Sequence, residues 1–273
     1  MNSFGRTAAT VAVAASLFGY IYFVESRKDP KKETPEGASG KREKVFTGFD
    51  KLKVSSITLS KREGEVIEAE RNGDRWTLIS PRETPADAAS IGAMLDALER
   101  LETEDIVTEA TPDLAPFGLS PPKVAVSVVA EGAGKPFELE IGDNVPAGSG
   151  LFARVPGKPR LFTVSSMVEN TFNKTAFDLR DRSLIHAKKD DVRWFELREK
   201  GRTVFKLARE EAGNEWEVTT PLTSRAARWT VEGFLGLVEN LRMDSIPTEQ
   251  ATAQDLSRYG LGGAARRLTL GLD

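Results

Sequence analysis

Cysteine is absent from the 273 residues. Disulfides, thiol nucleophiles, zinc knuckles and iron–sulfur ligation are therefore excluded, as is a lipidated N-terminal cysteine. Histidine occurs once, as His186. A histidine-rich metal site cannot form, and a Ser-His-Asp arrangement has a single candidate base. A strong charge of either sign is also missing: 38 Lys and Arg stand against 41 Asp and Glu, a formal net charge of −3. Nothing in that balance points to nucleic acid. What remains is an ordinary globular composition, 40% hydrophobic and 29% charged, with length for one large domain or two small ones.

One long apolar run does occur. Thr7 to Val24 carries no charge, with Arg6 before it and Glu25, Arg27 and Lys28 after it. As a helix it would span about 27 Å at ~1.5 Å per residue, close to the ~30 Å hydrocarbon core. Tyr20, Tyr22 and Phe23 gather at one end, where amphipathic rings prefer the headgroup level. The sequence thus predicts a membrane anchor over residues 1–26 and a single-pass protein; a signal peptide cleaved near Ala12–Ala15 is the alternative. The flanking charges favour a cytoplasmic body, but large domains translocate largely regardless of such charges. Residues 27–44, rich in Lys, Glu, Pro and Gly, read as a flexible polar tether.

Self-comparison of the remainder reveals a repeat. RWTLISP around Trp76 matches EWEVTTP around Trp216, each ending at a proline, Pro81 or Pro221. Helical stripes follow at Ile91, Met94, Leu95, Leu98 and Leu101, and at Val231, Phe234, Leu235, Val238 and Leu241, each in step with its own tryptophan. Thr84 with Asp87, and Ser224 in the second copy, are the predicted helix caps. Phe117-Gly118-Leu119 then matches Tyr259-Gly260-Leu261 after a small slip in register, each read as an aromatic anchor followed by a turn glycine. Hairpins precede both tryptophans, with turns at Asn72-Gly73 and Ala212-Gly213-Asn214. After Leu119 the first copy continues as a strand meander through Val164 and a short helix opened by Ser165 or Ser166. The second copy reaches only Leu268, Leu270 and Leu272, which correspond to Val126, Val128 and Ala130. The predicted fold is α+β: the transmembrane helix, then two tandem strand-strand-helix-strand units with mainly antiparallel or mixed sheets. The first covers 45–187, and the second, shortened, covers 188–273. The second unit is either naturally shortened or cut from a longer protein, and it predicts a C-terminal strand edge covered by the first unit or by a partner strand.

No constellation with catalytic spacing stands out, and no catalytic, cofactor or metal residue is assigned. Gly148-Ser149-Gly150 lacks the helix that a phosphate cradle needs, and Gly260 to Gly263 reads as a turn. His186 has no marked nucleophile near it. Asp178, Asp181, Asp190 and Asp191 alternate with Arg180, Arg182, Lys188 and Lys189, the pattern of a solvated, ion-paired surface. Trp76 and Trp216 suit half-buried strands.

Together, the Trp76–Pro81 strand end, Phe117-Gly118-Leu119 before Pro121-Pro122, Leu139-Glu-Ile-Gly-Asp143 and Phe177-Asp-Leu-Arg-Asp-Arg182 resemble one bacterial family. It is the domain-of-unknown-function family numbered forty-three-forty, and the likeness runs from about Leu52 onward. The resemblance implies an envelope protein beside ABC-transporter components of the gliding-motility type, anchored in the inner membrane with its body in the periplasm. It supplies no catalytic residues. The expected role is a non-catalytic accessory or scaffold protein whose partners are the inner membrane and ABC-type transporter subunits. An envelope glycan or peptide hydrolase with a hidden carboxylate pair, and an extracytoplasmic peptide- or glycan-binding module, are the alternatives.

Overall fold

The structure, a computed structural model, describes residues 42–110, 112–146, 149–209, 215–262 and 266–272. The predicted anchor and most of the tether lie outside them, as do Gly148, the Ala212–Asn214 turn and Gly263.

A 3-10 turn at Lys51–Lys53, capped by Asp50 accepting from the Leu52 N–H, leads into β1 (Val54–Lys61). Val54, Ile57 and Leu59 point inward from β1, which is otherwise rich in Ser and Thr, as suits one buried sheet face. β2 (Val66–Asn72) and β3 (Arg75–Ser80) are joined at Asn72-Gly73, where Gly73 supplies φ 61°. The chain then folds back on β3 as the short β4 (Thr84–Pro85), which pairs Leu78 with Thr84. α1 (Ala88–Glu99) buries Ile91, Met94, Leu95 and Leu98. β5 (Ile106–Thr108) and a 3-10 turn at Ala115–Phe117 follow. Next comes the meander of β6 (Val124–Ala130), β7 (Phe137–Asn144), β8 (Leu151–Arg154) and β9 (Leu161–Val164). α2 (Met167–Phe172) and α3 (Ala176–Leu179) are short. The pattern then restarts: β10 (Val192–Glu199), β11 (Arg202–Arg209), β12 (Trp216–Thr220), β13 (Ser224–Arg225) and α4 (Arg228–Glu239). α5 (Ala253–Arg258) and β14 (Arg267–Leu272) end the described chain.

One sheet runs β4-β3-β2-β1-β6-β7-β8-β9-β5, the other β13-β12-β11-β10-β14. The described chain clusters into two compact units. One takes the residues through Val66 with Met94–Asn173, the other Ile67–Ala93 with Lys174 onward. In the first unit Phe137 meets Phe46 and Phe49 edge-on, with ring centroids 5.6 and 5.0 Å away. Glu43 and Lys44, at the end of the predicted tether, are paired rather than free. The Glu43 N–H donates to Thr103 Oγ1, and Lys44 bridges Glu102. In the second unit Val192, Phe195, Leu207, Trp216, Val231 and Leu235 form a core, with the Phe234 ring stacked on Phe195 at 5.3 Å.

The two copies correspond closely. β4 and β13 begin and end at matched positions of the repeat, and so do α1 and α4. Cis peptides precede both Pro81 and Pro221. Ile57 and Leu59 of β1 pair with Val128 and Val126, just as Phe195 and Leu197 of β10 pair with Leu270 and Leu268. A register shift falls at Val54/Ser56 in one and Val192/Trp194 in the other.

Three expectations are corrected. The fold is mostly antiparallel sheet with few, short helices, because successive strands return on one another as hairpins and a meander. Among the described residues no helix is long and apolar enough to cross a membrane, which overturns the single-pass inner-membrane reading; Thr7–Val24 lies outside those residues. Thr84 and Ser224 are not helix caps. Both pair within a strand, and Pro85, with its fixed φ, continues the fold-back. The first helix is instead capped by Asp87, which accepts from the Ala89 N–H at 3.1 Å and the Ser90 hydroxyl at 2.7 Å.

Candidate functional site

The repeat landmarks occupy structural corners. Trp76 and Trp216 are both buried, and each offers its carbonyl to the residue after the fold-back strand. The Ala86 N–H donates to Trp76 O at 2.9 Å, and the Ala226 N–H to Trp216 O at 2.8 Å. The tryptophan strand therefore holds the fold-back turn that starts the helix.

At Phe117-Gly118-Leu119 the copies differ. Gly118 adopts φ 65°, a left-handed conformation that costs other residues about 1–2 kcal/mol. A β-carbon there would lie 2.2 Å from the Asp143 carboxyl carbon. Arg62 closes the corner, donating to Gly118 O at 2.6 Å, Asp143 Oδ1 at 3.0 Å and Pro121 O at 3.1 Å. Gly142 lets β7 approach so closely that a β-carbon on it would sit 2.2 Å from Phe117 O. These contacts explain why glycines and an aspartate stand in the Phe117–Leu119 and Leu139–Asp143 motifs. The second copy has no described counterpart of β7. Leu261 is accordingly 63% exposed, where its equivalent Leu119 is 2% exposed.

A cleft of about 320 Å³ lies in the second compact unit, lined by Leu78, Pro81, Arg82, Phe177, Arg180 and Glu249 among others. One wall is the Phe177–Arg182 motif, which acts as a strap. Thr175 and Asp178 form a capping box that starts α3. The chain then extends: the Asp87 N–H donates to Leu179 O at 2.8 Å, Ala86 bridges Arg180, and the Asp181 N–H donates to Pro85 O at 2.9 Å. Leu179 is buried, and Arg180 Nη1 holds Glu249 at 2.8 Å. The strap continues into Ser183, which bridges Arg242, while the Met243 N–H donates to Arg182 O at 2.8 Å.

The acidic groups here are anchored as acceptors. The Thr175 N–H and then its hydroxyl hold the Asp178 carboxyl below the usual range, and Thr252 does the same for Asp255, hydroxyl first. Burial pushes the Asp181 carboxyl upward, but the Ser183 N–H and hydroxyl, with His186 and Arg242, outweigh it and leave it lowered. The shifted carboxylates described, these with Asp96, Glu196 and Glu232, all move downward. A general acid needs the opposite shift. His186 is exposed, with Nδ1 3.7 Å from Asp181 Oδ2. Gly150 leads into β8 rather than a helix. Ser166 occupies the cap position of α2 without a side-chain bond, while the Met167 N–H donates to Ser165 Oγ at 3.4 Å. Among the described residues no group of three His, Asp or Glu is placed to hold a metal ion.

Sequence reasoning missed both Thr-x-x-Asp capping boxes, Thr175/Asp178 and Thr252/Asp255. It read Asp178 as surface charge, although the spacing is a capping signature. It also missed the strap, because a backbone pairing leaves no side-chain pattern. Nor did it find the exposed apolar residues of the second copy, Leu222, Trp229, Leu237 and Leu261. Comparison with their first-copy equivalents, Arg82, Ala89, Ala97 and Leu119, would have flagged the first three.

These features define a duplicated antiparallel β module whose first copy is held by a strap and a glycine corner. The chain belongs to the family described as Domain of unknown function (DUF4340), whose profile matches residues 76–215. The match runs from Trp76 to the residue before Trp216, one period of the repeat. No curated protein and no solved structure matches the chain.

Proposed function

We propose that this protein is a non-catalytic accessory subunit that works by protein contact, and that ABC-transporter-type subunits are its partners. The observation that carries the contact reading is the second copy's uncovered apolar surface. Leu222 and Trp229 are 78% and 79% exposed, on elements whose first-copy counterparts carry Arg82 and Ala89. Large apolar groups that gather on an open surface mark interaction sites. Among the described residues β14 stands at the edge of its sheet, with β10 as its neighbour, and so offers a ladder to a further strand. The transporter class comes from the motif likeness described above.

Affinity purification of the tagged chain from gently detergent-extracted cells tests the reading. Transporter subunits, identified by mass spectrometry in near-equal amounts, are expected, with their yield falling in a Leu261→Asp variant. Recovery of the folded chain by itself would overturn it.

A further inference from the structure

A cavity of about 310 Å³ lies within the first compact unit, a size that suits a small molecule. Three stretches of chain build it. The segment Lys44–Thr47 leads into the unit, Thr103 and Glu109 flank β5, and the β8–β9 hairpin contributes from Val155 to Phe162. The frame is firmly bonded. The Glu104 N–H donates to Thr163 O at 2.8 Å, and the Thr163 N–H to Asp105 O at 2.9 Å. In the hairpin the Lys158 N–H donates to Val155 O at 3.1 Å, with Gly157 at φ 76°. Arg160 is clamped as a wall, its Nε donating to Glu109 Oε2 at 3.0 Å and its Nη1 to Glu43 Oε2 at 2.8 Å.

Charge and hydrogen bonding are incomplete in this frame. Arg160 with its two glutamates carries one net negative charge. Lys44 and Lys158 add two positive charges, and among the described residues neither has an ion-pair partner. One positive charge is left over. Thr103 is 4% exposed. Its hydroxyl oxygen accepts a long bond from the Glu43 N–H, at 3.3 Å, but among the described residues its own proton has no acceptor. Burying a hydroxyl whose donor is unused is costly. The second copy shows that the backbone does not ask for that hydroxyl. Met243 stands at the equivalent position, and its N–H donates to Arg182 O at 2.8 Å, just as the Thr103 N–H donates to Glu43 O at 2.9 Å. The remaining wall is apolar, with Val45 and Phe162 buried beside Val155 and Pro159.

We infer that this cavity binds a small amphiphilic carboxylate, a single acid group on a short apolar body. The carboxylate accepts from the Thr103 hydroxyl and is neutralised by Lys44 and Lys158, while the hydrocarbon part lies on Val45, Val155 and Phe162. One negative charge matches the one left uncompensated. A phosphate dianion would overshoot it and be repelled by Glu43 and Glu109. The site belongs to the first copy alone and does not depend on the accessory reading.

The probe is sodium hexanoate, titrated into the whole chain near neutral pH and followed by amide NMR. Saturable shifts at the Thr103, Lys158 and Phe162 amides are expected, with a Kd below about 10 mM. Hexanamide has the same shape without the charge and should bind at least ~5-fold more weakly. Lys44→Met and Lys158→Met, both at exposed positions, should each weaken hexanoate binding at least ~3-fold. Lys135→Met, in the exposed β6–β7 connection, should leave it unchanged. Thr103→Val should weaken binding at least ~3-fold, whereas Thr103→Ser keeps the hydroxyl and should bind within ~2-fold of the parent. Absence of saturable shifts at these amides would overturn the inference. So would equal binding of hexanamide, or no response to either cavity lysine. Tighter saturable binding of inorganic phosphate at the same amides would also overturn it, by giving the site to phosphate chemistry. None of these results bears on copurification of transporter subunits, so the accessory role stands or falls separately.

Discussion

Gly142→Ala tests how the glycine corner is locked. Gly142 lies in β7 and needs no left-handed φ, so the cost of a methyl group there is steric. That methyl would sit 2.2 Å from the Phe117 carbonyl oxygen and 2.9 Å from Leu119 Cγ. An ordinary contact of about 3.4 Å or more requires the corner to retreat by over ~1 Å. Overpacking typically costs about 1–3 kcal/mol, and a backbone oxygen cannot swing aside as a side chain can, so the upper end applies. Replacing glycine also restricts the unfolded chain, which returns about 0.4–1 kcal/mol. The net loss is roughly 2–3 kcal/mol. With a urea slope of about 2–3 kcal/mol/M, the midpoint should fall by about 1 M. The assay is urea unfolding followed by circular dichroism, with hydrogen exchange at the Leu119 amide, which donates to Leu114 O at 3.1 Å. The reference variant is Gly260→Ala, at the matching corner of the second copy. Its β-carbon meets nothing within 4 Å, so only the cost of φ 70° remains, about 1–2 kcal/mol. A Gly142→Ala midpoint within ~0.3 M of the parent, with Leu119 still protected, would refute the close approach on which the corner depends.

Gly118→Ala should cost about 1 kcal/mol more than Gly260→Ala, and Asp143→Ala in the same chain should remove that excess, because the carboxylate is what the new methyl strikes; urea unfolding of all these variants checks this. Trp216→Ala should destabilise by about 3–5 kcal/mol, and Trp229→Ala by no more than ~0.5 kcal/mol, since one ring is 2% and the other 79% exposed; thermal melts separate them. Leu179→Ala should cost about 2–5 kcal/mol and release the strap, read as faster exchange of the Asp87 amide. The strap should also loosen in acid. Asp178 and Asp181 titrate lower folded than unfolded, so their contribution is complete above the ordinary aspartate value of 3.8 and fades as pH falls through their lowered values. Faster exchange of the Asp181 amide below about pH 4, before the sheet amides respond, is the expected sign.

Legibility in the sequence followed how local each signal is. The helical stripe Ile91 to Leu98 and its copy at Val231 to Val238 are local periodicities, and they lie on α1 and α4. The Asn72-Gly73 turn is a dipeptide signal and joins β2 to β3. Thr84-Pro85 was misread because a helix cap and a very short strand share the same extended backbone. The pairing Leu78↔Thr84 that decides between them depends on a neighbouring strand rather than on the residues themselves. The helices were over-weighted because their stripe is easy to see, while the strands of the β6 to β9 meander are short and alternate more quietly. The strap was invisible for a firmer reason. Its partners, Asp87 and Pro85, are distant along the chain and meet it through backbone atoms, which carry no residue identity.

The two copies act as a control for each other within one chain. They share the fold-back strand, the helix start, the strand register and the left-handed glycine. Differences at matched positions therefore reflect what surrounds each corner rather than what the local fold demands. If the second copy's corner simply faced water, polar or small residues would serve it as well as Arg82, Ala89 and Ala97 serve the first. Large apolar side chains there would only promote sticking. The chain instead places Leu222, Trp229 and Leu237 at those positions, and puts Ala227 where Asp87 caps its helix with its own carboxylate. Among the described residues, loss of a self-cap, an unfilled backbone pair and the exposed Trp229 occur at one corner. Covering by another segment accounts for all three together, whereas solvent exposure accounts for none of them.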